Sequence, residues 1–157
     1  LLKANQVSMD KLYFGKLLSG FFLILSVQLF LLLIFVVAAK VDGISFDLSL
    51  AVHIKWLLLS VVASFPIMTL QSFVTAKTRN FSKVVGVATI GSMLNFVLIF
   101  INENLTKFFP YSQPMIALRS RSLTDMSLID LTIFLVVNSL YSLLFYKLTV
   151  AALKKNE

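Results

Sequence analysis

Cysteine is absent from these 157 residues. Disulfides, thiolate metal sites and a cysteine nucleophile are therefore excluded. Charge is scarce at 13%, against about a quarter of the residues in an ordinary soluble domain. Acids are scarcer than bases, 7 against 14. The one histidine, His53, sits beside Lys55 and Trp56 with no second imidazole or conjugate acid near it, so it reads as an interfacial residue and not as a ligand or a base. Three prolines and five glycines leave no stretch of linker or low complexity. There is no G-x-x-x-x-G-K-[ST], no H-E-x-x-H and no G-x-S-x-G, so the chain carries no P-loop and no recognisable hydrolase motif. The expectation is a protein that is not an enzyme and holds no cofactor or metal.

Apolar residues are abundant. They make up 59% of the chain, with 15 Phe and a mean hydropathy of +0.93. Four runs are long enough to cross a bilayer. The first, from about Leu17 to Ala39, covers about 34 Å, slightly more than the hydrocarbon core. Lys16 and Lys40 bracket it and can snorkel to the interface. Ser8 is placed to cap a helix starting near Met9. The second run spans about 55–74, with Trp56 at headgroup level and Pro66 inside it, where a kink or break is expected and the carbonyl of Val62 is left to a neighbour. The third spans about 84–101, with a small-residue face of Gly86, Ala88, Gly91 and Ser92 that suits close helix packing or, more sharply, a substrate-facing groove. The fourth spans about 128–146, with Asp130 at the membrane surface.

The connections are short except one. Asp42-Gly43 marks a turn, after which Phe46, Leu48 and Leu50 alternate with polar residues as a brief interfacial segment would. Residues 103–127 hold FFPYSQP, whose Pro110 and Pro114 argue against a continuous helix, and whose Phe108, Phe109 and Tyr111 suit an interface. A re-entrant or extra short span there stays open. Asn104-Leu105-Thr106 matches a glycosylation acceptor, a pattern short enough to arise by chance.

Lys and Arg fall unevenly across the spans. One side receives Lys3, Lys11, Lys16, Lys77, Arg79, Lys83, Lys147, Lys154 and Lys155; the other receives Lys40, Lys55, Lys107, Arg119 and Arg121. The positive-inside rule makes the first side cytoplasmic, with both ends of the chain inside a plasma membrane and loops 40–54 and 103–127 outside. The same rule accounts for the net charge of +7 without nucleic acid, since no basic stripe with interleaved aromatics is present. No span carries a charge near its centre, which argues against proton or ion coupling. The polar residues inside the spans are uncharged: Gln28, Gln71, Asn95 and Asn138, with several Ser and Thr. They read as hydrogen bonds between helices or as the lining of a translocation path.

Three stretches carry a resemblance. LLKANQVSMDKLYFGKLL, residues 1–18, resembles the segment that follows the first span and coupling region in type-2 ABC-exporter permeases. SFPIMTLQSFVTAKTRNFSKVVGVATIG resembles the lantibiotic-immunity and bacitracin-export branch of those permeases, through Pro66, Gln71, Arg79, Asn80, Phe81, Gly86 and Gly91. FFPYSQPMIAL fits the same branch. The resemblance covers nearly the whole chain and is one of arrangement. It implies an all-α polytopic transmembrane bundle of about six spans, of which four lie here, with a first span and coupling region expected before Leu1. It implies a permease domain over residues 1–157 that works with a separate ABC ATPase subunit, a second permease copy or paralogue, and membrane lipid. The cargo it implies is a small peptide antibiotic or similar amphipathic molecule. Asp10, Lys11, Lys77, Arg79 and Asn80 are the candidate ATPase contacts. The alternative is a non-transporting membrane anchor or assembly protein.

Overall fold

Backbone N–H and C=O groups placed in hydrocarbon must pair within their own segment, so long apolar runs become helices. The computed structural model describes residues 8–43, 50–118 and 126–155. Helix α1 spans Met9–Val41, α2 Leu50–Thr78, α3 Phe81–Ile101 and α6 Leu128–Lys155. Between α3 and α6 lie two short helices, α4 (Glu103–Thr106) and α5 (Gln113–Ala117), with a 3₁₀ turn at Pro110–Ser112 before α5. Among the described residues there is no strand. The four long helices are each long and apolar enough to cross a membrane. The chain is an all-α, polytopic membrane protein.

α2 and α6 run parallel at the centre of the bundle, with the tilted rings of Phe73 and Phe145 5.9 Å apart. The tightest core is Ala63 of α2, Phe134 of α6 and Ala117 of α5, packed together with Leu59, Val62, Ile116 and Met126. α1 lies antiparallel to α2: Phe21 meets Phe65 at 6.0 Å, and Phe35 meets His53 at 6.3 Å. At one end of the bundle Asp10 pairs with Lys154 at 3.1 Å, and the tilted rings of Tyr13 and Tyr146 lie 5.2 Å apart. Large apolar side chains such as Phe22, Leu23 and Phe30 of α1 and Phe96 and Phe100 of α3 point outward. In water such a surface promotes aggregation; in lipid it is solvated.

Local chemistry sets the helix ends. α1 begins at Met9 as expected, but Ser8 makes no side-chain cap bond. α2 stops because Arg79 turns left-handed, φ 49, with its N–H on the Thr75 carbonyl at 2.9 Å. Asn80 then caps α3, its side chain accepting from the Lys83 N–H at 3.2 Å. At the start of α6 the Asp130 N–H donates to the Ser127 hydroxyl, which in turn donates to the Asp130 carboxylate. Pro66 does not break α2, which continues from Leu50 to Thr78. The Thr69 hydroxyl bonds the carbonyls of Phe65 and Pro66 there. Phe46 and Leu48, and the basic Arg119 and Arg121, lie outside the described residues.

Candidate functional site

Proline has no N–H to lose at the first position of a helical turn, and its fixed φ favours starting one. Pro110 opens the 3₁₀ turn and Pro114 sits in the first turn of α5. Asn102 starts the segment by capping α4, its side chain accepting from the Asn104 N–H at 2.9 Å. The result is a compact helical hairpin rather than a loop at the surface. Thr106 of the glycosylation-like triplet is buried and bonds its own helical turn, which is a structural role.

This hairpin enters the bundle. The Tyr111 ring lies directly against Gly91, where any Cβ would collide with it. Gly91 is the midpoint of α3, about 15 Å from either end at the usual helical rise. Ser112, Gln113 and Ala117 are completely buried. Residues 110–117 therefore reach the middle depth of the spanning helices, as the re-entrant alternative left open for residues 103–127 would have them. Irregular backbone at that depth is tolerated only where protein or a water-filled cavity surrounds it.

Three polar contacts hold it. Gln71 of α2 donates through Nε2 to the Tyr111 hydroxyl. Ser112 donates to Oδ1 of Asn95 on α3. Asn138 of α6 donates through Nδ2 to Oε1 of Gln113 at 2.9 Å and to the Phe134 carbonyl at 2.6 Å. Gln113 in turn donates to the carbonyls of Lys107 and Phe109 at 2.9 and 3.1 Å, closing the turn before α5. At the rim Lys107 pairs with Asp130 at 2.8 Å, which ties the hairpin to the start of α6. Two buried acceptors in this set, Gln71 Oε1 and Asn138 Oδ1, have no hydrogen-bond partner.

Of the polar residues singled out from the sequence, Gln71, Asn95 and Asn138 thus converge on one segment, each from a different helix. Gln28, half-buried on α1, takes no part. Their partners Tyr111, Ser112 and Gln113 were not singled out as site residues. The available signal was three amides inside spans, and one consecutive run of polar side chains, flanked by Pro110 and Pro114, able to match them. Among the described residues no three His, Asp or Glu side chains converge as a metal site would require.

The proposed ATPase contacts share the basic end. Asp10 is engaged by Lys154, and Lys77 lies 5.8 Å above the Phe73 ring. Arg79 and Asn80 form the α2–α3 turn, and Lys11 is exposed. The chain matches no protein-family model, no curated protein and no solved structure.

Proposed function

We propose that the chain is the membrane-spanning permease subunit of a type-2 ABC exporter, expelling a small amphipathic peptide with energy from a separate ATPase. The observation that carries this reading is the hairpin at 110–117, held at mid-depth by uncharged amide and hydroxyl pairs. A static anchor needs only closed helices. Short helices with irregular backbone between spans, by contrast, are how transporters build sites near the bilayer midplane. Neutral polar pairs can exchange partners during a rocking motion without stranding a buried charge.

The need for a partner follows from the sequence, which has no nucleotide-binding motif. The contact surface is the basic end, in particular Lys11, Lys77 and Arg79. Asp10 and Asn80 also lie there, but each has an internal partner, so their substitution tests docking only alongside a stability measurement. The outward apolar faces of α1 and α3 are available to lipid or to a second permease copy.

The test is survival on a peptide antibiotic of cells expressing the full-length protein with its ATPase, against cells lacking either subunit. Protection is expected only with both. Equal protection without the ATPase would overturn the reading.

A further inference from the structure

We propose that the basic end of the α2–α6 pair holds an anionic phospholipid, its phosphate on Lys77 and its acyl chain along the rings of Phe73, Phe145 and Tyr141. The three rings form a row. Phe73 and Phe145 lie 5.9 Å apart across the two helices, and Tyr141 stacks on Phe145 at 6.1 Å with the ring planes 9° apart. Lys77 closes the row at the basic end, its Nζ 5.8 Å from the centroid of the Phe73 ring. Lys77 follows Phe73 by four residues, and Tyr141 precedes Phe145 by four, on helices that run parallel. At the usual helical rise the row is therefore about 12 Å long, from headgroup level toward the bilayer centre.

Charge selects the occupant first. Lys77 has no acid partner among the described residues, and the one acid described at this end, Asp10, pairs with Lys154. The Phe73 ring holds the ammonium over the row by a cation–π contact but does not neutralise it. Arg79, exposed two residues on, adds a second cation. Partial cover selects it next. Phe73, Tyr141 and Phe145 are only half-buried, whereas Phe134, near the other end of α6, is 2% exposed. The row keeps free surface for an apolar chain.

The ligand must place an anion and a hydrocarbon chain side by side. A soluble phosphate would leave the rings uncovered. A zwitterionic lipid would bring its own cation against Lys77. An anionic phospholipid meets both ends of the row, with its phosphate at the depth that a lysine reaches by snorkelling. Attraction to an anionic surface alone would be shared among all the cations of this end. The row sets Lys77 apart from Lys147, an exposed cation on the same face of α6 as the 51% exposed Leu144. The assignment does not rest on the permease reading; an ATPase docked at the basic end would meet the headgroup together with Lys77.

The test uses the full-length protein in nanodiscs of equal parts phosphatidylglycerol and phosphatidylcholine, with p-benzoylphenylalanine in place of Tyr141 as a photocrosslinker. Crosslinks to phosphatidylglycerol are expected to exceed those to phosphatidylcholine about fivefold, which is about 1 kcal/mol, the worth of one cation near an anionic surface. The same crosslinker in place of Leu144, less than one turn away on α6, should give near-equal yields. Lys77→Gln should erase the preference at position 141, and Lys77→Arg should keep it. Lys147→Gln should leave it unchanged. Native mass spectrometry with Tyr141 intact keeps the test decisive if the crosslinker disturbs the fold: phosphatidylglycerol should be retained over phosphatidylcholine, and that preference lost in Lys77→Gln but not in Lys147→Gln. Equal yields at position 141, the same preference at position 144, a preference that survives Lys77→Gln, or one that falls as far in Lys147→Gln would overturn the assignment.

Discussion

Position 91 decides whether Tyr111 can lie where it does. The ring is rigid, its hydroxyl is held by Gln71, and it rests where a side chain on residue 91 would begin. A methyl group there leaves no soft neighbour to yield, so the backbone of 110–112 must retreat. Gly86, one and a half turns away on the same helix, has nothing within 4 Å of where its Cβ would stand. The two glycines looked alike in the sequence as parts of one small-residue face, and they separate sharply here. Gly91→Ala should cost about 1–3 kcal/mol, the usual penalty for overpacking, while Gly86→Ala should be neutral or slightly stabilising through helix propensity. Reversible unfolding in mixed micelles measures both. Equal effects of the two substitutions would refute the packing. Arg79 makes a related point, because its left-handed φ of 49 gives it a part in the turn apart from its charge. Arg79→Gly removes the charge yet suits that conformation, so it separates the two roles.

Among the elements, the spanning helices were legible in the sequence and the hairpin was not. Apolar runs at 17–39, 55–74, 84–101 and 128–146 all fall inside observed helices, because hydropathy reports what must avoid water. It does not report where a helix stops. α1 and α6 extend well past their apolar runs, at Met9 and Lys155, and α2 ends where Arg79 and Asn80 turn the chain. The hairpin escaped because its position depends on partners distant in sequence: Gly91 for space, and Gln71, Asn95 and Asn138 for hydrogen bonds. Gln71, Asn95 and Asn138 were visible as polar residues in lipid, but nothing local says which side chains meet them. Gln113 is the residue on which the element depends most, since it joins α6 and closes its own turn at once. Gln113→Leu should leave one Asn138 amide N–H and the Lys107 carbonyl without the Gln113 side chain and destabilise the segment by about 2–4 kcal/mol, judged from the cost of unmet buried polar groups. Hydrogen exchange by mass spectrometry should then rise across 102–118 while α1 stays protected. Unchanged exchange in that segment would show that the network does not hold it.

The whole molecule has two unlike ends. Among the described residues, Lys11, Lys16, Lys77, Arg79, Lys83, Lys147, Lys154 and Lys155 gather at one end with a single acid, Asp10. Lys40, Lys55 and Lys107 lie toward the other, balanced by Asp42, Glu103 and Asp130. The antiparallel packing of α1 on α2 and the Asp10–Lys154 pair bring the basic segments to one end. An excess of this kind biases orientation during insertion, and the orientation we propose has the basic end in the cytoplasm. Exposed positions must be used to test it. Ser112 is completely buried against Asn95, so a cysteine there would stay silent on either side of the membrane. Phe108 on the hairpin rim is 56% exposed, and Ser82 at the start of α3 is exposed at the basic end. In a chain with no native cysteine, Phe108→Cys should react with an impermeant maleimide in intact cells, and Ser82→Cys only after the membrane is permeabilised. The reverse pattern would invert the topology. It would also remove the basic end from the reach of a cytoplasmic ATPase, so this labelling experiment tests a condition that the permease reading cannot do without.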